Sequence, residues 1–224
     1  MPNWISATWD APPNVRALTT LRDHGDAGQE HRRNLQSAIG LERLQWLDQV
    51  HGNRCLNASA SSCGHAPEAD AAWTSDAALG LVIQTADCVP VVLTEPGGDK
   101  IGAAHGGWRG LVSGVLQHLI AAMAVDGPLL AWIGPAIGPA VYEVGPDVFE
   151  AVTRVAGDAS VFLPGKVDGK WYLDLFALTA LLLAREGVAD ISTERLCTYS
   201  DPRFYSYRRE GVTGRMATVI WKAQ

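Results

Sequence analysis

Two apolar stretches, Leu79–Thr85 and Val89–Thr94, follow one another with only Ala86-Asp87-Cys88 between them. That gap cannot hold the crossover of about a dozen residues that joins parallel neighbours, so a regular βαβ alternation is excluded at the centre of the chain. The pair reads instead as hairpin-like. The other strand candidates are Val15–Leu21, Leu44–Val50, Lys100–Ala104, Leu129–Ile133, Trp171–Leu173, Arg195–Tyr199 and Arg215–Trp221. Helix candidates are fewer: His31–Ile39, Arg109–Ala124, Pro146–Val155 and Leu175–Glu186. The second carries Leu111, Val115, Leu119 and Ala122 at helical spacing, and the fourth ends at Gly187, a good left-handed cap. Strands that outnumber helices and come in runs predict an α+β fold, with mixed or antiparallel sheets and helices on the outer faces.

A chain of 224 residues, 47% of them hydrophobic, can bury a full core, and one domain over 1–224 is the simplest organisation. The stretch from Asn57 to Asp70, rich in Ala, Ser, Gly and Pro, reads as a surface excursion rather than a boundary. A net charge of -6 without a basic run argues against nucleic acid and anionic membranes as partners and favours small molecules. The longest apolar runs, such as Ala177 to Ala184, fall far below the roughly 20 residues of a membrane span. The beginning of the chain has no basic segment leading into an apolar one, so a cytoplasmic location is expected. Four cysteines are too sparse for a disulfide scaffold, which leaves each one free to be a core filler, a ligand or a nucleophile.

Three side chains able to do chemistry stand in glycine or turn frames: Gln49-Val50-His51-Gly52, Ala86-Asp87-Cys88-Val89-Pro90 and Ala104-His105-Gly106-Gly107-Trp108-Arg109-Gly110. Two imidazoles and a thiolate make a zinc set that leaves a coordination position open. Two of them also have a plainer reading, Cys88 as a buried thiol and His51 as a turn histidine bonded to backbone, whereas His105, followed by two glycines, is less easily dismissed. Spacings of 37 and 17 residues match no zinc-finger pattern, so the fold has to gather the donors. On the residues alone, the metal and structural readings both stay open. After His105, Gly106 and Gly107 let the backbone turn and approach a ligand, while Arg109 opens a helix whose free N–H groups favour an anion. Near the end, Phe204 to Arg209 reads either as a substrate wall with a cationic end or as an amphipathic edge strand with solvated arginines.

The ordered motifs resemble those of one family. They are Gln49-Val50-His51-Gly52-Asn53, Thr85-Ala86-Asp87-Cys88-Val89-Pro90-Val91, Ala104 to Gly110, Ile133-Gly134-Pro135-Ala136-Ile137-Gly138-Pro139, Tyr142-Glu143-Val144-Gly145 and Phe204-Tyr205-Ser206-Tyr207-Arg208-Arg209. The family is named variously for laccase-domain or polyphenol oxidase proteins, purine nucleoside phosphorylases and the bacterial peptidoglycan editing factor.

The resemblance implies a single-domain αββα layered sandwich with a zinc ion on His51, Cys88 and His105, copper being the alternative metal. It also implies phosphorolysis of adenosine, inosine and methylthioadenosine, with adenosine deamination. Purine nucleosides and phosphate are the expected partners, and serine-containing UDP-muropeptide precursors a further substrate class. Arg109 then joins the donors as a catalytic residue, and Gly106, Gly107, Arg109 and Arg208 are the expected substrate contacts. A multicopper relay is not expected, because only two of the six histidines fall in the matching motifs.

The segment Leu21-Arg22-Asp23-His24-Gly25-Asp26 departs from the family's pattern, so no substrate contact is carried over to Arg22. His24, His31, His65 and His118 read as surface or packing residues, and a second cluster of Cys55, Cys63 and His65 is not expected. The competing chemistry is a metal-free cysteine hydrolase with Cys88 as nucleophile and His105 as base. A non-catalytic binding module is the third reading.

Overall fold

The computed structural model describes residues 3–26, 29–61 and 63–223. In chain order the first strands are β1 (Trp4–Ser6), β2 (Val15–Thr20), β3 (Leu44–Gln45), β4 (Cys55–Asn57), β5 (Ala71–Thr74), β6 (Gly80–Thr85) and β7 (Val89–Thr94). They are followed by β8 (Ile101–Gly106), β9 (Leu130–Ile133), β10 (Glu143–Val144), β11 (Phe162–Pro164), β12 (Trp171–Leu173), β13 (Asp190–Thr193) and β14 (Met216–Lys222). The helices are α1 (Gln29–Ile39), α2 (Trp108–Val112), α3 (Val115–Met123), α4 (Pro146–Ala156), α5 (Leu175–Arg185) and α6 (Tyr207–Glu210).

Two sheets carry the fold. One is five-stranded in the order β1-β2-β14-β6-β3, the other six-stranded in the order β13-β9-β7-β8-β5-β4, and a small third sheet joins β10, β12 and β11. Alternation along the strands explains the layering, because both faces of each main sheet are apolar and must be covered. On β6, Leu81 and Ile83 point into the space between the sheets with Val92, Ile101, Ala103 and Trp132, while Val82 points outward with Leu35 of α1. On the far side, Val91, Leu93 and Ala104 meet Leu116 and Leu119 of α3 and Leu178 and Leu182 of α5. Helix, sheet, sheet, helix is the resulting order, and the sheets are mixed and antiparallel as the sequence predicts. Among the described residues no helix is long and apolar enough to cross a membrane.

Several local expectations are corrected. The stretches 79–85 and 89–94 are not a hairpin: β6 pairs with β14 and β3 in one sheet, whereas β7 pairs with β8 and β9 in the other. The Ala86-Asp87-Cys88 turn therefore carries the chain between layers, with Asp87 at φ 98° making the bend. The expected helix Arg109–Ala124 is broken at Ser113-Gly114 into α2 and α3, because Gly114 stands at φ 89°. Only Leu44–Gln45 of Leu44–Val50 is strand, and Arg195–Tyr199 contributes an isolated bridge from Cys197 to Ala136 instead of a strand. β1, β4, β5, β10, β11 and β13 were not expected; most are three or four residues long, too short for a period of two to stand out.

A candidate metal centre in a cleft

The three framed residues reach one point from three places. His105 is the penultimate residue of β8 and is 4% exposed. Cys88 leaves the inter-sheet turn directly ahead of β7, and His51 sits in the loop ahead of β4 with its backbone at φ 61°. Their donor atoms all lie within 4.8 Å of one another, and the two imidazole rings are 4.7 Å apart between centroids. Gly107 makes that approach possible. A Cβ there would stand 2.5 Å from His51 Nδ1 and 3.3 Å from Cys88 Sγ. Gly107 itself has φ −68°, so the glycine is needed for space and not for a sharp turn.

Asp70 ties the centre together. Its fully buried carboxylate accepts hydrogen bonds from the N–H groups of Val50 (3.1 Å), His51 (3.0 Å) and Gly52 (2.7 Å), and pairs with His105 Nδ1 at 2.8 Å. Burial pushes Asp70 up, but the bond to His105 and those from the loop outweigh it and hold the carboxyl below its usual range. Burial likewise opposes charge on Cys88 and on His105, yet each favours the other's charged form: the thiol is held low and the imidazole high. Loop 51–53 is braced further by His118 Nδ1, 2.9 Å from the Asn53 carbonyl, and by the Asn53 amide donating to the Ser113 carbonyl at 2.6 Å. His118 is thus an exposed residue that braces the loop. His24 lies beside Trp4, with ring centroids 6.4 Å apart, and the side chain of His31 lies outside the described residues.

The donors open into a cleft of about 630 Å³ whose lining includes Gln49, Thr85, Trp108, Arg109, Tyr142 and Arg208. Arg109 is exposed and lies over the Trp108 ring, 4.5 Å from its centroid. The helix it was expected to open has only five residues, so the guanidinium and not a helix terminus is the main anion-attracting group on that wall. Arg208 donates to the Glu143 carbonyl at 3.1 Å and stands 5.2 Å from the centre of the Tyr142 ring. It belongs to α6, capped by Ser206, and not to an edge strand. Asp87 fixes that helix by accepting from the Arg208 N–H (2.6 Å) and from the Thr198 hydroxyl (2.6 Å). Gly106 ends β8 against Val89 and does not line the cleft, whereas Gly107 does. Arg22, given no substrate contact, is an ion-pair partner of Glu210 and lies over the Tyr205 ring.

Sequence reasoning missed Asp70, Asp87 and Tyr142 as parts of the site. Asp87 and Tyr142 lay inside motifs already singled out, and the signal for Asp70 was an acid set within an alanine-rich run, Ala69-Asp70-Ala71-Ala72. Cys55, Cys63 and His65 form no donor group; among the described residues the His51, Cys88 and His105 set stands alone. Two imidazoles and a thiol at this separation fit a single soft or borderline ion such as zinc or copper.

The layered sandwich and this cleft define a class: an αββα protein with one three-donor centre beside cationic walls. The chain belongs to the family described as multi-copper polyphenol oxidoreductase laccase, whose model matches residues 14–223. It is 37% identical to a purine nucleoside phosphorylase of Pseudomonas aeruginosa over 97% of this chain and 98% of that one. It is 39% identical to the purine nucleoside phosphorylase YfiH of Escherichia coli, over 99% of both chains. The crystal structure of protein NMB0706 from Neisseria meningitidis superposes with a TM-score of 0.92 at 39% identity, covering 99% of this chain and 100% of that one.

Proposed function

We propose that this protein is a zinc-dependent purine nucleoside phosphorylase that acts on adenosine, inosine and methylthioadenosine. The observation that carries the reading is the convergence of His51, Cys88 and His105 within 4.8 Å in a cleft that also presents Arg109. The relatives' names support the substrate class. His51, Cys88 and His105 would hold zinc, which supplies Lewis acidity and an activated water when bound. Arg109 holds the phosphate by charge, and Arg208, braced on the Glu143 carbonyl and the Tyr142 ring, confines the other end of the substrate. Tyr142 stays protonated, because burial pushes its phenol well up, so it can donate a hydrogen bond into the cleft at neutral pH. Gly107, lacking a Cβ, lets the wall approach the His51 ring and the Cys88 thiol closely.

Adenosine deamination and hydrolysis of serine-containing UDP-muropeptide precursors belong to the same reading as water-dependent reactions of one centre. A single domain over 1–224 and a cytoplasmic location complete it, supported by a family match over 14–223 and by four free thiols. The test is one preparation assayed for metal content, for phosphate-dependent release of adenine and hypoxanthine, for inosine formation and for serine release. Zinc near one per chain and turnover abolished in His105→Ala are expected. Full turnover by His105→Ala overturns the reading.

One contact favours a second reading. Asp70 on His105 Nδ1, with Cys88 beside the ring, is also the order of a nucleophile, base and orienting acid, which suits a metal-free cysteine hydrolase. Inactivation of metal-stripped, still active protein by a thiol alkylating agent would favour it.

A further inference from the structure

Asp70 bonds the loop of one histidine donor and the ring of another. One oxygen accepts from the N–H groups of Val50 and Gly52; the other accepts from the His51 N–H and meets His105 Nδ1. The Asp70 carbonyl also accepts the His105 N–H at 2.7 Å, so ring and backbone of that residue are tied to the same amino acid. His51 stands at φ 61°, a conformation that a residue with a Cβ adopts only when its surroundings hold it there. Three N–H groups converging on a buried carboxylate are such a hold.

The geometry points to Asp70 as a positioning residue that preassembles the metal centre through two of its three donors at once. With Nδ1 engaged by Asp70, His105 turns Nε2 toward Cys88 and His51. With the loop N–H groups engaged, His51 keeps its ring against Gly107. The inference rests on the metal reading given above. An amide at this position keeps the shape but sets an N–H group against N–H donors, so either the loop or the ring loses its acceptor.

Zinc affinity, read by competition with a chromogenic chelator, separates the possibilities. Asp70→Asn is expected to bind zinc 10- to 100-fold more weakly, roughly the effect of losing an orienting partner of a ligand. Asp174→Ala, which removes the α5 cap and the ion-pair partner of Arg195 but no bond to the donors, is expected to leave zinc affinity unchanged and controls for general loss of stability. In the zinc-loaded wild type, a downfield, slowly exchanging His105 Nδ1 proton is expected. Should Asp70→Asn fail to fold, hydrogen exchange on wild-type protein before zinc is added decides: protected amides at His51 and Gly52 are expected, and unprotected ones overturn the proposal. Equal zinc affinity in wild type and Asp70→Asn overturns it alone. A wild type that takes up no zinc overturns the metal reading, and this inference with it.

Discussion

A methyl group at position 107 would meet His51 Nδ1 at 2.5 Å and Cys88 Sγ at 3.3 Å, so a donor has to shift to make room. The His51 backbone is held by Asp70, and that of Cys88 by the turn that crosses between sheets, so the shift falls on the side chains. Gly107→Ala is therefore expected to leave the fold intact, since its φ of −68° suits alanine, while displacing a donor. A displacement of on the order of 1 Å costs about 100-fold in rate. Turnover and zinc stoichiometry measured beside an unchanged circular dichroism spectrum would check this. At this scale the glycine and turn frames singled out His51, Cys88 and His105, but the residues alone left the metal and structural readings open and only the resemblance favoured the metal. Asp70 was not legible. A carboxylate in an alanine-rich segment looks solvated until the fold shows that three N–H groups converge on it.

At the scale of elements, the break between α2 and α3 isolates a clean backbone effect. Gly114 has φ 89°, and the nearest atom to an added Cβ is 3.6 Å away, so Gly114→Ala pays for conformation and not for a clash. The expected loss is about 1–2 kcal/mol, visible as a lowered melting temperature. Apolar periodicity could not reveal that break, because Leu111, Val115 and Leu119 face the same core from either side of it. The long buried strands were legible from β-branched runs, whereas two- to four-residue strands such as β3 and β13 are defined by their partners. Helix α6 is joined to the start of the chain by Glu210, whose carboxyl is held at about 2 by the Thr213 hydroxyl, then by Arg209 and Arg22. Its folded pKa lies below the unfolded one, so its contribution is present above pH 4.5 and is lost as pH falls toward about 2. Glu210→Gln is expected to flatten the acid limb of the stability curve in that window, measured by urea unfolding at a series of pH values.

At the scale of the molecule, the inter-sheet layer holds the two main sheets together. Trp132 is fully buried there, and its indole N–H donates to Glu194 at 2.8 Å. Trp132→Ala is expected to cost about 3–5 kcal/mol, measured by denaturant unfolding, because the cavity lies between two sheets that cannot both close over it. The α+β class was legible from consecutive strands without intervening helices. The assignment of those strands to separate sheets was not, because pairing partners such as Thr218 and Thr19 lie at opposite ends of the sequence. β14 occupies the middle of the five-stranded sheet, between β2 and β6. Synthesis at about 5–20 residues per second therefore leaves Cys88 waiting on the order of ten seconds for the strand that completes the layer behind it. Throughout that interval β6 lacks the neighbour it later finds in Met216–Ile220, so the order in which the ribosome delivers the strands leaves an unpaired edge that the finished fold closes.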